Sequence, residues 1–178
     1  MKLVIILVMS LLIGGSVVND PEKMSWQENR KLTWADFQGT PGGNDDFVAS
    51  TNSGISFSYA IKRQGESVEL NYTVLSNFYP KDSWYRPEVA SAYILAHEQT
   101  HFDISELHAR KLRKLLTEIP VNENVKQLVD KLYGEIEQQR RSMQSSFDSD
   151  SDHSKNKEAE YRWRAFVAEQ LQAYSAWK

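Results

Sequence analysis

Cysteine is absent from all 178 residues. That excludes a thiolate metal site, a disulfide framework and lipid attachment at an N-terminal cysteine, so any metal must be held by His, Asp or Glu. Histidine is scarce as well, with four in the chain. An excess of charge of one sign is missing too. Lys and Arg number 21 against 24 Asp and Glu, a net charge of -3, and no basic cluster offers a footprint for nucleic acid. There is no internal repeat, so a solenoid is not expected. The longest apolar run, Leu3 to Ile13, falls short of the roughly 20 residues of a membrane span.

That run has its own meaning. Lys2 supplies a positive start, and Gly14, Gly15 and Ser16 are small residues of the kind a signal peptidase accepts. Residues 1–18 therefore read as a secretory signal peptide, with an uncleaved N-terminal anchor as the alternative and the only expected link to a membrane. Residues 19–178 are long enough for one domain with a core of its own.

Within that domain, residues 19–30 are polar and extended in character, and Thr33 can cap a short turn on which Trp34 and Phe37 share a face. Gly39 to Asp46 is a loop. Ile55, Phe57, Tyr59 and Ile61 alternate with small or polar residues, as do Val68, Leu70, Tyr72 and Val74. A turn at Arg63 to Glu66 joins the two runs, which predicts an antiparallel hairpin with its aromatics in the core. A helix is expected from about Pro87 to Thr117, stopped by Pro120, and a second from near Asn122 with Val125, Leu128, Val129, Leu132 and Ile136 on one stripe. Ser145 to Asn156 is almost free of apolar residues and reads as a loop. A last helix carries Ala159, Trp163, Phe166, Val167, Leu171, Tyr174 and Trp177. The expected fold class is α+β: a short antiparallel sheet followed by three helices.

The chemistry centres on His97-Glu98-Gln99-Thr100-His101, a His-Glu-x-x-His pattern inside the first helix. Residues four apart lie nearly above one another on a helix, so His97 and His101 can point two imidazoles at one zinc ion. Glu98 lies about 100° round the helix, where it can take a proton from a zinc-activated water. The opposing reading is a helix with two solvated or capped histidines.

Catalytic zinc usually has three protein ligands, and Asp103, Glu106, His108, the later acidic residues and His153 are the candidates for the third. Glu106 falls about 180° from His97, on the wrong face. His108 falls on the right face but about 10 Å beyond His101, too far for one ion. No glycine between 102 and 107 ends the helix early, so His108 reads as a surface or second-layer residue. His153 lies in the acidic stretch Phe147 to Ser154, where a loop could swing its imidazole over the motif. Asp148 and Asp152 could orient a ligand imidazole instead.

Several stretches taken together resemble a bacterial family of secreted proteins read as zinc-dependent proteases and catalogued as domain of unknown function nine hundred and twenty-two. They are Leu32-Thr33-Trp34-Ala35-Asp36-Phe37-Gln38-Gly39, Ser83-Trp84, Leu95 to Ile104 with Ala109-Arg110, and Phe147-Asp148 with His153, Asn156 and Trp163. Phe147, Ser151 and Ser154 stand where the family usually has Tyr, Thr and Gly. The resemblance implies a secreted or periplasmic zinc protein with a zincin-like fold, and it favours His153 as the third ligand. The expected function is a metallopeptidase acting on a peptide or protein substrate. His97, His101 and His153 would hold Zn²⁺, Glu98 would act as general base, and Tyr79, Tyr85, Tyr161 or Arg162 could donate to an oxyanion. The alternative is a secreted zinc-binding or substrate-binding module without turnover; a structural envelope protein is the third.

Overall fold

The structure, a computed structural model, describes residues 22–42, 47–65 and 67–178. The signal-peptide expectation for residues 1–18 lies outside the described residues, as does the tip of the 39–46 loop. Among the described residues no helix is long and apolar enough to cross a membrane.

The expected hairpin forms, and it is longer than its alternating core. Strand β3 (Ser53–Gln64) pairs antiparallel with β4 (Ser67–Phe78) from Ser53↔Phe78 to Gln64↔Ser67. The connection turns at Gly65, whose φ of +60° suits glycine. The register sets Ile55 opposite Ser76, Phe57 opposite Val74, Tyr59 opposite Tyr72 and Ile61 opposite Leu70. Directly opposed residues point to the same side of a sheet, so one face is largely apolar, with Ser76 the polar exception among these pairs. The N-terminal strand β1 (Met24–Ser25) extends this sheet in the order β1-β4-β3. A second, two-stranded sheet joins β2 (Ala49–Ser50) to β5 (Trp84–Tyr85).

Three helices follow: α1 (Ala92–Glu118), α2 (Val125–Ser151) and α3 (Lys157–Ala173). The architecture is thus α+β, an antiparallel sheet and then three helices. Helix α1 is surrounded. Ala109, Leu112 and Leu116 meet the sheet and α2 through Ile55, Val74, Val125, Val129 and Ile136. Phe102 meets Leu32, Phe37 and Phe78 of the N-terminal segments, and Ile104 meets Phe147 and Val167 of α2 and α3. A helix packed on several sides is buried on several faces, which is why its polar residues are buried too.

Two boundaries differ from the sequence expectation. Helix α1 starts at Ala92, not near Pro87, because Ser91 accepts a hydrogen bond from the Ile94 amide and caps it; residues 87–89 form a turn. Helix α2 runs on to Ser151, through most of the stretch expected to be a loop. Its Ser and Asp residues are weak helix formers, but Phe147 and Ser151 are fully buried, and tertiary packing overrides local propensity. At the other end of the stripe in α3, Phe166 is exposed and does not join the core.

Candidate metal centre

The middle of α1 lies under a cleft of about 620 Å³. The segment from Phe47 to Thr51, Trp84 and Tyr93 form part of its wall, and His97, Glu98, His101, Gln144, Asp148 and His153 also line it. The tryptophan-containing segments are fastened beside it. Trp34 stacks on Tyr85 at 4.6 Å, and the Ser83 side chain accepts from the Asn52 amide at 2.9 Å and donates to the Tyr79 carbonyl at 2.8 Å. A side chain at Gly39 would sit 2.7 Å from the Lys81 carbonyl oxygen, so this close approach needs glycine. These contacts give a physical reason for the residues of the Leu-Thr-Trp-x-Asp-Phe-x-Gly and Ser-Trp stretches.

His97 and His101 are buried and turned toward each other, with their Nε2 atoms 3.2 Å apart. The third group at this point is Asp148. Its Oδ1 lies 3.3 Å from His97 Nε2 and 3.0 Å from His101 Nε2. Among the described residues these three form the one group of His and acidic side chains arranged to hold a metal ion. The edge of a tetrahedron around zinc, with bonds of about 2.0–2.1 Å, is about 3.3–3.4 Å. The observed separations fit it.

The hydrogen-bond network fixes which atoms face inward. His97 Nδ1 donates to Glu160 Oε2 at 2.9 Å, and His101 Nδ1 donates to Gln144 Oε1. Gln144 is oriented by its own amide donor, which reaches the His101 carbonyl at 3.3 Å and Ser105 Oγ at 3.2 Å. With both Nδ1 protons committed, two Nε2 lone pairs and a carboxylate oxygen point at one spot. Three acceptors so placed require a positive charge between them. Burial alone would lower the pKa of His97, but the bonds to Asp148 and Glu160 outweigh it and raise the pKa to about 9. Asp148 shows the counterpart: burial would raise its pKa, yet the two imidazoles hold it well below the ordinary carboxylate range.

The supporting residues come from all three helices. Glu160 of α3 is fully buried, and its other oxygen accepts from Arg164 Nε at 2.7 Å. The Phe147 ring stacks on His97 at 4.5 Å and meets His101 at 5.1 Å. Glu98 is buried in the same cleft, and its Oε2 has no hydrogen-bond partner among the described residues. Leaving a buried carboxylate oxygen unpaired costs stability, and such groups collect at functional sites.

The other sequence candidates fall as follows. Glu106 lies away from the metal group, paired with Arg110 at 2.9 Å and Arg113 at 3.1 Å. Asp103 accepts from Trp26 Nε1 at 2.6 Å and Gln99 Nε2 at 2.9 Å, tying down the N-terminal segment. His108 is not at the surface. It is 1% exposed and bonded to the Ile104 carbonyl, and burial lowers its pKa to about 4. His153 reaches the rim, where its Nδ1 stops 4.0 Å from Asp148 Oδ1. Tyr79, Tyr85, Tyr161 and Arg162 do not line the cleft; Arg162 pairs with Glu158 instead. Sequence reasoning missed Gln144 and Glu160; it held Asp148 among the later acidic candidates for the third ligand but favoured His153 and offered Asp148 an orienting role. The available signals were an acid, Glu160, on the stripe of Trp163 and Val167, and the i, i+4 spacing of Gln144 and Asp148.

No curated protein and no solved structure matches this chain. A family model described as "Bacterial protein of unknown function (DUF922)" matches residues 25–154, a span that takes in both motif histidines, Glu98, Asp148 and His153. The chain belongs to that family.

Proposed function

We propose that this protein is a zinc-dependent metallopeptidase of zincin type, secreted or periplasmic, that hydrolyses peptide bonds. The observation that carries the reading is the pairing of two features in one cleft. Two imidazole nitrogens and a carboxylate oxygen converge with 3.0–3.3 Å between them, and beside them a buried glutamate keeps one oxygen unpaired. A site that only bound metal would need the first feature and not the second.

His97, His101 and Asp148 would hold the ion, and an all N/O ligand set with a neutral imidazole pair suits zinc. Zinc, when bound, polarises the scissile carbonyl and makes a nucleophile of water near neutral pH. The rest falls to the chain. Glu98 accepts the proton of the attacking water and returns it to the leaving amine nitrogen. Glu160 and Gln144 hold the two imidazoles in the tautomer that presents Nε2. The wall from Phe47 to Thr51 gives a substrate somewhere to lie. Among the described residues strand β2 within it pairs with β5 alone, which leaves its other edge to add an extended peptide strand. The long hairpin strands do not line the cleft.

The test is metal content followed by turnover. Purified protein should carry about one zinc per chain, lost in the double variant His97→Ala, His101→Ala. Glu98→Gln should keep the zinc and lose hydrolysis of a casein or mixed-peptide substrate by about 10²-fold or more. Zinc bound with no hydrolysis in either protein would leave a metal-binding module. No zinc in the unaltered protein would end the reading.

A further inference from the structure

His153 is held at the cleft by an unusual piece of backbone. Asp152, His153 and Ser154 have φ values of 46°, 49° and 73°, three consecutive left-handed residues with no glycine among them. Helix ends of this kind commonly use glycine; Asp and His tolerate the left-handed region better than most residues, but three non-glycine residues in a row still cost stability. The turn is closed by its own backbone bonds and tied to α1 by one bond from outside. The His153 amide donates to the Asp148 carbonyl at 2.9 Å, and the Asn156 amide donates to the Ser151 carbonyl at 2.7 Å. The Tyr93 hydroxyl donates to the Ser154 carbonyl, also at 2.9 Å, pinning the turn to α1.

What the turn achieves is the placement of one ring. His153 stands edge-on to Phe47 at 5.2 Å, lines the same cleft as Glu98, and leaves 49% of its side chain open to solvent. Its Nδ1 is 4.0 Å from Asp148 Oδ1, beyond hydrogen-bond range. It therefore lies outside the converging group and on the open side of it.

We propose that His153 is a catalytic hydrogen-bond donor on the substrate side, which binds the oxyanion as it develops on the scissile carbonyl, and is not a metal ligand. This rests on the metallopeptidase reading. In the step concerned, the water oxygen bonds to the carbonyl carbon and the carbonyl π pair moves onto its oxygen. Glu98 takes the water proton. His153 donates an N–H to the new oxyanion and keeps its proton. The C–N bond then breaks as the carbonyl re-forms, and the proton on Glu98 passes to the amine.

The experiment compares the full chain with His153→Gly, which removes the ring and suits the left-handed backbone, and with His153→Asn as a second variant that also tolerates it. Zinc affinity is measured by chelator competition. Cobalt(II)-loaded protein is followed by its visible absorption and titrated with acetohydroxamate, a small chelating oxyanion. Both variants should hold zinc within about twofold of the unaltered chain and keep the cobalt spectrum. They should bind acetohydroxamate at least tenfold more weakly, and lose about 10²–10³-fold in kcat with a smaller change in KM. His153→Gly should also raise the Tm. A tenfold loss of zinc affinity with an altered cobalt spectrum would make His153 a ligand and overturn the proposal. Unchanged acetohydroxamate affinity and kcat would make it a bystander. An unaltered chain that takes up neither zinc nor cobalt would fail the metal reading itself, and the proposal with it.

Discussion

Glu160→Gln isolates the contribution of a residue outside the group of three that could hold a metal. The side chain is fully buried, with one oxygen 2.9 Å from His97 Nδ1 and the other 2.7 Å from Arg164 Nε. Burial would raise the pKa of Glu160, but His97 and Arg164 hold it below the usual range, so it is charged at neutral pH. Gln has nearly the same volume, so no cavity forms. What changes is charge and donor count. A neutral amide presents one acceptor and one donor group where two acceptors are needed, so either His97 Nδ1 or Arg164 faces an N–H. Losing the outer partner of a metal-binding imidazole costs about 10–100-fold in metal affinity, or about 1.4–2.7 kcal/mol. Zinc affinity by chelator competition at pH 7.5 should fall by that factor. The His97 ring proton in the metal-free protein, followed by NMR, should titrate below its position of about 9. Glu158→Gln is the control, since Glu158 shares the helix but is 85% exposed. Zinc affinity within twofold of the unaltered protein would refute the claim that Glu160 fixes the ligand.

Four further outcomes follow from the same geometry. His97 must lose its proton to take a metal, and its pKa is raised to about 9; zinc uptake at pH 7 should release about one proton, and affinity should climb toward pH 9. Calorimetry in buffers of different ionisation enthalpy reads this, and no proton release would contradict it. The sign for stability is the reverse: a raised pKa favours the protonated fold, so the metal-free chain should hold that increment in full below about pH 6.5 and lose it as pH rises through about 9. Thermal melts across that window test it. Phe147→Ala removes a fully buried ring that packs on His97, His101 and Trp163 and should cost about 3–5 kcal/mol in urea denaturation, with a weaker metal site; a loss below about 1 kcal/mol would show that the layer repacks. Glu98→Gln should leave the metal-free Tm unchanged or raise it, because a buried carboxylate oxygen without a partner is removed. A marked fall would mean that Glu98 has a structural role.

Much of this was legible in the residues. The period-two runs at Ile55–Ile61 and Val68–Val74 found the hairpin, because one face meets the helices and the other meets water. The motif spacing found His97 and His101, because helical geometry alone places i and i+4 together. The start of α1 was missed by five residues because Pro87 and Ser91 both carry start signals, and only the folded chain shows that Ser91 makes the capping bond. His108 could be read only as a surface or second-layer residue, because its angle on the helix was known while the number of buried faces of α1 was not.

The third member of the metal group was hidden for a deeper reason. A run of Ser and Asp reads as a loop, and in a loop the histidine is the natural ligand. Once Phe147 is driven into the core between His97 and Trp163, residues 144–151 have to be helical, and the periodicity of that helix decides what faces α1. Gln144 and Asp148, four apart, then share the face of Phe147's neighbours and meet His101 together. His153 falls just past the end of the helix, lifted to the rim by the left-handed turn. One buried aromatic ring thus brings Asp148, rather than His153, within 3.3 Å of both motif nitrogens. No local pattern announces that placement, because it depends on where a distant helix packs, and the same ring couples the stability of the α2–α3 layer to the geometry of the metal centre.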